Sequence, residues 1–152
     1  MSKGIAEKRK LYFKEIDFTA PVAHWDSKLL SVFNGSDKED RLAIIITDGE
    51  VEQIIGIPII QNSSGREQSH AVFEVLLDWD MADKVKALCC DTTTSNFGRV
   101  NGACNLLEQM LETDLLYLPC RYPFYELILK SAFDKLMPSC SGPDVSLIKR
   151  FK

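Results

Sequence analysis

Apolar positions fall into short blocks whose spacing changes partway along the chain. Residues 42–47, LAIIIT, are apolar almost throughout, which predicts a strand buried on both faces. Asp48-Gly49 reads as a hairpin turn into residues 51–60, VEQIIGIPII, where Gly56 and Pro58 mark a bulge or an edge position. Upstream, Pro21 opens a further strand over residues 22–33. On it Val22, His24, Asp26 and Lys28 share one face, and Ala23, Trp25, Ser27 and Leu29 the other. Asn34-Gly35 and the charges up to Arg41 make the intervening loop.

Beyond the loop at residues 62–65 the period becomes helical. Val72, Val75, Leu76, Trp79 and Ala82 recur on one face of a helix over residues 66–82. Residues 86–91 form a short strand, and residues 98–112 a helix on Val100, Ala103, Cys104, Leu107 and Met110. Residues 115–119 are another short strand. Pro123 suits a first helical turn and opens a last helix that runs to about Leu136. Residues 1–10 are polar and loose, and residues 11–18 show no clear period. The order β-β-β-α-β-α-β-α is an antiparallel three-strand meander followed by βα units. That is an α/β chain with a mixed sheet and right-handed crossovers.

Composition adds bounds. With 152 residues, 45 % hydrophobic and 26 % charged, the chain suits one globular domain with a proper core. A net charge of −4 argues against a free-standing DNA binder held by bulk charge. The five cysteines form no even framework, no apolar signal segment precedes them, and no run reaches membrane-span length, so the expectation is an intracellular chain with reduced thiols. No phosphate-binding glycine loop and no Ser-His or Cys-His signature occurs.

The candidate chemistry lies in VKALCCDTTTSNFGRVNGACNLLEQM, residues 85–110. A strand ends in Asp91, followed by hydroxyl and amide residues and then a helix. The carboxyl edge of an open α/β sheet is where ligands and metals bind. Asp91 equally suits backbone capping, and Thr92 to Asn96 could cap the helix and orient the acid. Asp26 sits in mid-strand, where aspartate is disfavoured. Asp48 belongs to turn chemistry. Cys89 and Cys90 point to opposite faces, and with Cys104 they read as small buried thiols rather than zinc ligands. His24 shares a face with Asp26 but reads as packed or solvent-facing, and Trp25 and Trp79 as core anchors.

AHWDSKLL, VKALCCDTTTSNFGRVNGACNLLEQ, LLYLPCRYPFYELILKSAF and SGPDVSLIKRF together resemble the catalytic core of hAT-type DNA transposases and the transposon-derived proteins related to them. The resemblance covers most of the chain from about Pro21 and implies a ribonuclease H-like fold over residues 19–137, between a polar segment (1–18) and a tail (138–152). It implies that Asp26 and Asp91, on the adjacent first and fourth strands, are catalytic acids binding Mg²⁺ or Mn²⁺, with DNA as partner and the nucleus as workplace. The activity it implies is that of a metal-dependent polynucleotidyl transferase or nuclease.

Two departures weaken the match. The family's third acid, a glutamate, has no counterpart here, and its Cys-x-x-His is replaced by Cys120-Arg121-Tyr122-Pro123. The expectation is a truncated, catalytically inactive copy. Two alternatives remain. One is a non-catalytic protein or nucleic-acid interaction module on the same scaffold. The other is a metal-dependent adhesion-type module, since Asp91-x-Thr93-x-Ser95 resembles the metal-binding turn of von Willebrand A-type domains, although that family places it after the first strand.

Overall fold

The computed structural model describes residues 3–31 and 38–136. The Asn34-Gly35 loop, Cys140 and the 138–152 tail lie outside the described residues. Contacts divide the chain into two units, Met1–Pro119 and Cys120–Lys152. In the first, helix α1 (Lys3–Lys14) leads into strands β1 (Val22–Ser31), β2 (Lys38–Asp48), β3 (Val51–Gly56) and the two-residue β4 (Ile59–Ile60). Helix α2 (Gly65–Asp78), strand β5 (Ala87–Cys90), the single turn α3 (Thr94–Phe97), helix α4 (Ala103–Leu111) and strand β6 (Leu116–Pro119) follow. The second unit contains helix α5 (Arg121–Leu136).

The sheet order is β3-β2-β1-β5-β6, with β4 paired to β2. β1, β2 and β3 form the antiparallel meander, while β1·β5 and β5·β6 are parallel. The strand expected as fourth is therefore β5, because Gly56 and Pro58 break the predicted 51–60 strand into β3 and β4. This is a mixed sheet in an α/β chain, a meander followed by parallel βα units, as the element order predicted.

One face of the sheet carries the core. Ala23, Leu42, Ile44, Ile46 and Leu88 are fully buried, Trp25 nearly so, and all join one cluster with Val72 and Leu76 of α2 and Ala103, Cys104 and Leu107 of α4. Opposite residues on the same strands, His24, Ala43, Ile45, Thr47 and Cys89, are half-buried. Alternation along β1 and β2 separates the two sets. The hairpin between β2 and β3 turns on Gly49 and Glu50, and Gly49 has φ +56°, which a residue without a Cβ adopts at no steric cost.

Four helix boundaries differ from the sequence expectation. α2 stops at Asp78, four residues early, because Asp80 takes the left-handed conformation (φ 59°). Met81 N–H then bonds Leu76 C=O (2.9 Å) and Asp80 N–H bonds Leu77 C=O (3.1 Å), closing a Schellman-type end without the glycine that normally signals one. Trp79 and Met81 are still buried, but from the connection, not the helix.

The helix expected over 98–112 begins only at Ala103, after the separate turn α3. A Cβ on Gly102 would lie 2.4 Å from the Gly98 carbonyl oxygen, so the backbone folds onto itself there before α4 starts. Val100, placed on the core face by its spacing, is 73 % exposed. The third difference is at the N-terminus. Residues 3–14, expected to be loose or without period, form α1, and Phe13 packs edge-on to Trp79 at 5.4 Å. α5 starts at Arg121, two residues before the proline that was expected to open it.

Candidate functional site

β1 and β5 run side by side in parallel at the middle of the sheet, with Val22, Ala23 and His24 opposite Ala87, Leu88 and Cys89. Asp26, still within β1, and Asp91, one residue past the end of β5, each stand two residues beyond the last of these pairs. Parallel pairing thus sets the segments that carry the two acids alongside each other, although they lie far apart in the sequence. Asp26 is exposed and Asp91 half-exposed, so both are open to solvent ions. Asp48, read from sequence as a turn residue, is elsewhere. Its Oδ2 accepts from the N–H groups of Thr19 (2.6 Å) and Ala20 (3.3 Å), which fastens the segment leading into β1.

Asp91 is held by the turn that follows it. Its Oδ1 accepts from the Thr93 N–H (3.2 Å), the Thr93 hydroxyl (2.7 Å) and the Asn96 amide (2.5 Å). Thr93 is the N-cap residue of α3, yet it makes no side-chain capping bond, because its hydroxyl is turned back to the acid. The hydroxyl and amide run therefore orients the carboxylate, and its expected capping of the helix by side chains is not seen at Thr93. Asn96 is buried and also receives the Trp25 indole N–H at 3.1 Å. Trp25 is a core anchor with a polar task that its sequence setting did not reveal.

Neighbouring groups are accounted for by packing. His24 Nε2 lies 2.7 Å from the Thr47 hydroxyl across β1 and β2. Burial lowers its pKa, partly opposed by the Glu52 carboxylate. Cys90 and Cys104 meet in the core with sulfurs 3.5 Å apart, as the reading of small buried thiols expected. Their mutual hydrogen bond, then burial and the nearby Asp91 charge, push the Cys90 thiol up, so it stays protonated. On the far side of α4, Glu108 accepts from the Leu115 N–H (2.7 Å) and the Tyr117 hydroxyl (2.6 Å), tying α4 to β6. Burial, then this bond, raises the Tyr117 pKa.

The donor set suits a hard divalent cation. Carboxylate oxygens are the ligands Mg²⁺ and Mn²⁺ prefer, and Mg²⁺ keeps several waters when it binds through one or two carboxylates. None of the three bonds to Asp91 engages Oδ2, which leaves that oxygen outside the turn. Among the described residues no group of three or more His, Cys, Asp or Glu side chains gathers into a metal site, so the arrangement is a pair of acids, not a cluster.

No protein-family model and no curated protein matches the chain. Among solved structures, the catalytic core domain of BIV integrase is similar, with 8 % sequence identity, a TM-score of 0.39 and coverage of 78 % of this chain and 74 % of that one. Among the described residues no helix is long and apolar enough to cross a membrane.

Proposed function

We propose that this chain is a transposase-type ribonuclease H-like domain in which Asp26 and Asp91 together hold a Mg²⁺ or Mn²⁺ ion against a nucleic-acid backbone. The observation that carries the reading is the register. The strand that carries Asp26 pairs in parallel with the strand that leads into Asp91, and each acid follows the last printed pair, His24 and Cys89, by two residues, which supports a shared site. The hAT-type resemblance of the sequence around both acids supports the same assignment, and with it DNA as the partner. When bound, the cation would neutralise phosphate charge. The chain's own part is to present the carboxylates, with Thr93 and Asn96 fixing Asp91.

Within these residues two acids are assigned and no third. A single cation between two carboxylates can bind a phosphodiester without clamping both the attacking and the leaving oxygen, so this chain binds rather than cuts. Calorimetric titration of Mg²⁺ and Mn²⁺ into the wild type and an Asp26→Asn/Asp91→Asn double variant tests this. The expected outcome is binding by the wild type that disappears in the double variant, with no strand cleavage by either. Equal, negligible binding in both would sink the metal reading and leave a scaffold for other contacts.

A further inference from the structure

One of the bonds that converge on Asp91 originates in the core. The Trp25 indole N–H donates to Asn96 Oδ1 at 3.1 Å, and Asn96 Nδ2 donates to Asp91 Oδ1 at 2.5 Å. Trp25 and Asn96 are each 4 % exposed. An indole can only donate a hydrogen bond and an ionised carboxylate can only accept one. The group between them must accept on one side and donate on the other. A primary amide does both, and only one of its two orientations works here. Turned over, it would set N–H against N–H and oxygen against carboxylate.

We infer that Asn96 is the positioning residue of the site and that Trp25 fixes its orientation. The inference rests on the reading of Asp91 as a cation-binding acid. Thr93 can hold the turn alone through its N–H and hydroxyl. Asn96 adds a connection from the carboxylate to a side chain locked in the core, on the strand that carries Asp26 as its next residue. Asp91 is thereby held through Oδ1 relative to the strand of its partner acid, and Oδ2 is left for the cation. Trp25 never touches the carboxylate; it acts only through the amide.

That dependence sets the test. Mn²⁺ is titrated by calorimetry into the full chain carrying Trp25→Phe, Asn96→Leu or both, with the thermal midpoint measured for each. Asn96→Leu is expected to weaken Mn²⁺ binding about tenfold or more, in the range typical of groups that orient a metal ligand. Trp25→Phe weakens it less, and the double variant binds no worse than Asn96→Leu alone. Additive losses in affinity, or full affinity in a folded Asn96→Leu chain, overturn the inference.

Two NMR signals, the Trp25 indole N–H and the Asn96 side-chain amide, decide the matter without metal. Both should shift in Asp91→Ala, because the relay is continuous. An Asn96 amide resonance that ignores Asp91→Ala overturns the positioning role. A wild type that binds no Mn²⁺ while both signals respond refutes the metal reading alone and upholds the positioning of Asp91.

Discussion

The two faces of the central sheet are made by the same strands and have opposite characters. Ala23, Trp25, Leu42, Ile44, Ile46 and Leu88 turn to the helices and lose almost all contact with water. His24, Asp26, Ile45, Thr47 and Cys89 alternate with them and keep part or all of theirs. The covered face supplies stability through apolar area and close packing. The other face can carry polar and charged groups because it is not required for the core. Asp26 is costly in mid-strand only if the strand is buried on both sides, and β1 is not. The buried face is linked to the site where Trp25 reaches through Asn96 to Asp91.

The largest test of this contrast is a pair of matched substitutions on neighbouring residues of β2. Ile44→Ala empties a fully buried site and should cost about 2–5 kcal/mol of unfolding free energy. Ile45→Ala, on the half-buried face, should cost about 1 kcal/mol, since less of the side chain leaves water on folding. Urea unfolding of both variants measures the gap, and equal losses would mean that the second face is as much core as the first.

A smaller effect is expected at the end of β2. Asp48→Ala frees the Thr19 and Ala20 N–H groups and should lower stability by about 1 kcal/mol, because water can take over part of the lost bonding at this partly exposed site. The same urea series reads it, with mid-β2 pairing to β1 unaffected in amide exchange.

The smallest effect concerns pH. Burial holds the His24 pKa below its ordinary value of about 6.5, so folding favours the neutral ring. Its contribution is present above the unfolded value and is lost as pH falls from there through the lower folded value. The thermal midpoint of the wild type should therefore drop on acidification below about pH 6.5 more than that of His24→Gln. Equal slopes would show that folding does not favour the neutral His24 ring.

Much of this fold was legible in the sequence because periodicity is a local property. LAIIIT had to be a buried strand, the Asp48-Gly49 signal had to reverse the chain, and the repeat at Val72, Val75 and Leu76 had to be helical. The boundaries were less legible where termination comes from backbone geometry without its usual residue. Asp80 stands in a left-handed position that glycine normally marks, and Gly102 ends an apparent helical repeat through contact with Gly98, which has no signature in hydropathy. α1 was hidden for another reason. Among the described side chains of α1 only Phe13 is deeply buried, and it is stabilised by Trp79, far along the chain.

The sequence by itself determined the meander followed by βα units, the placement of Asp91 at a strand end and the oddity of Asp26 within a strand. Tertiary structure decided that the segments carrying these acids run side by side, because that depends on β1 pairing in parallel with a strand more than sixty residues later. It also decided that Trp25 and Asn96 form a polar connection inside the core. Hydrogen bonds of this kind join residues 71 positions apart, and no local pattern of apolar and polar positions encodes them.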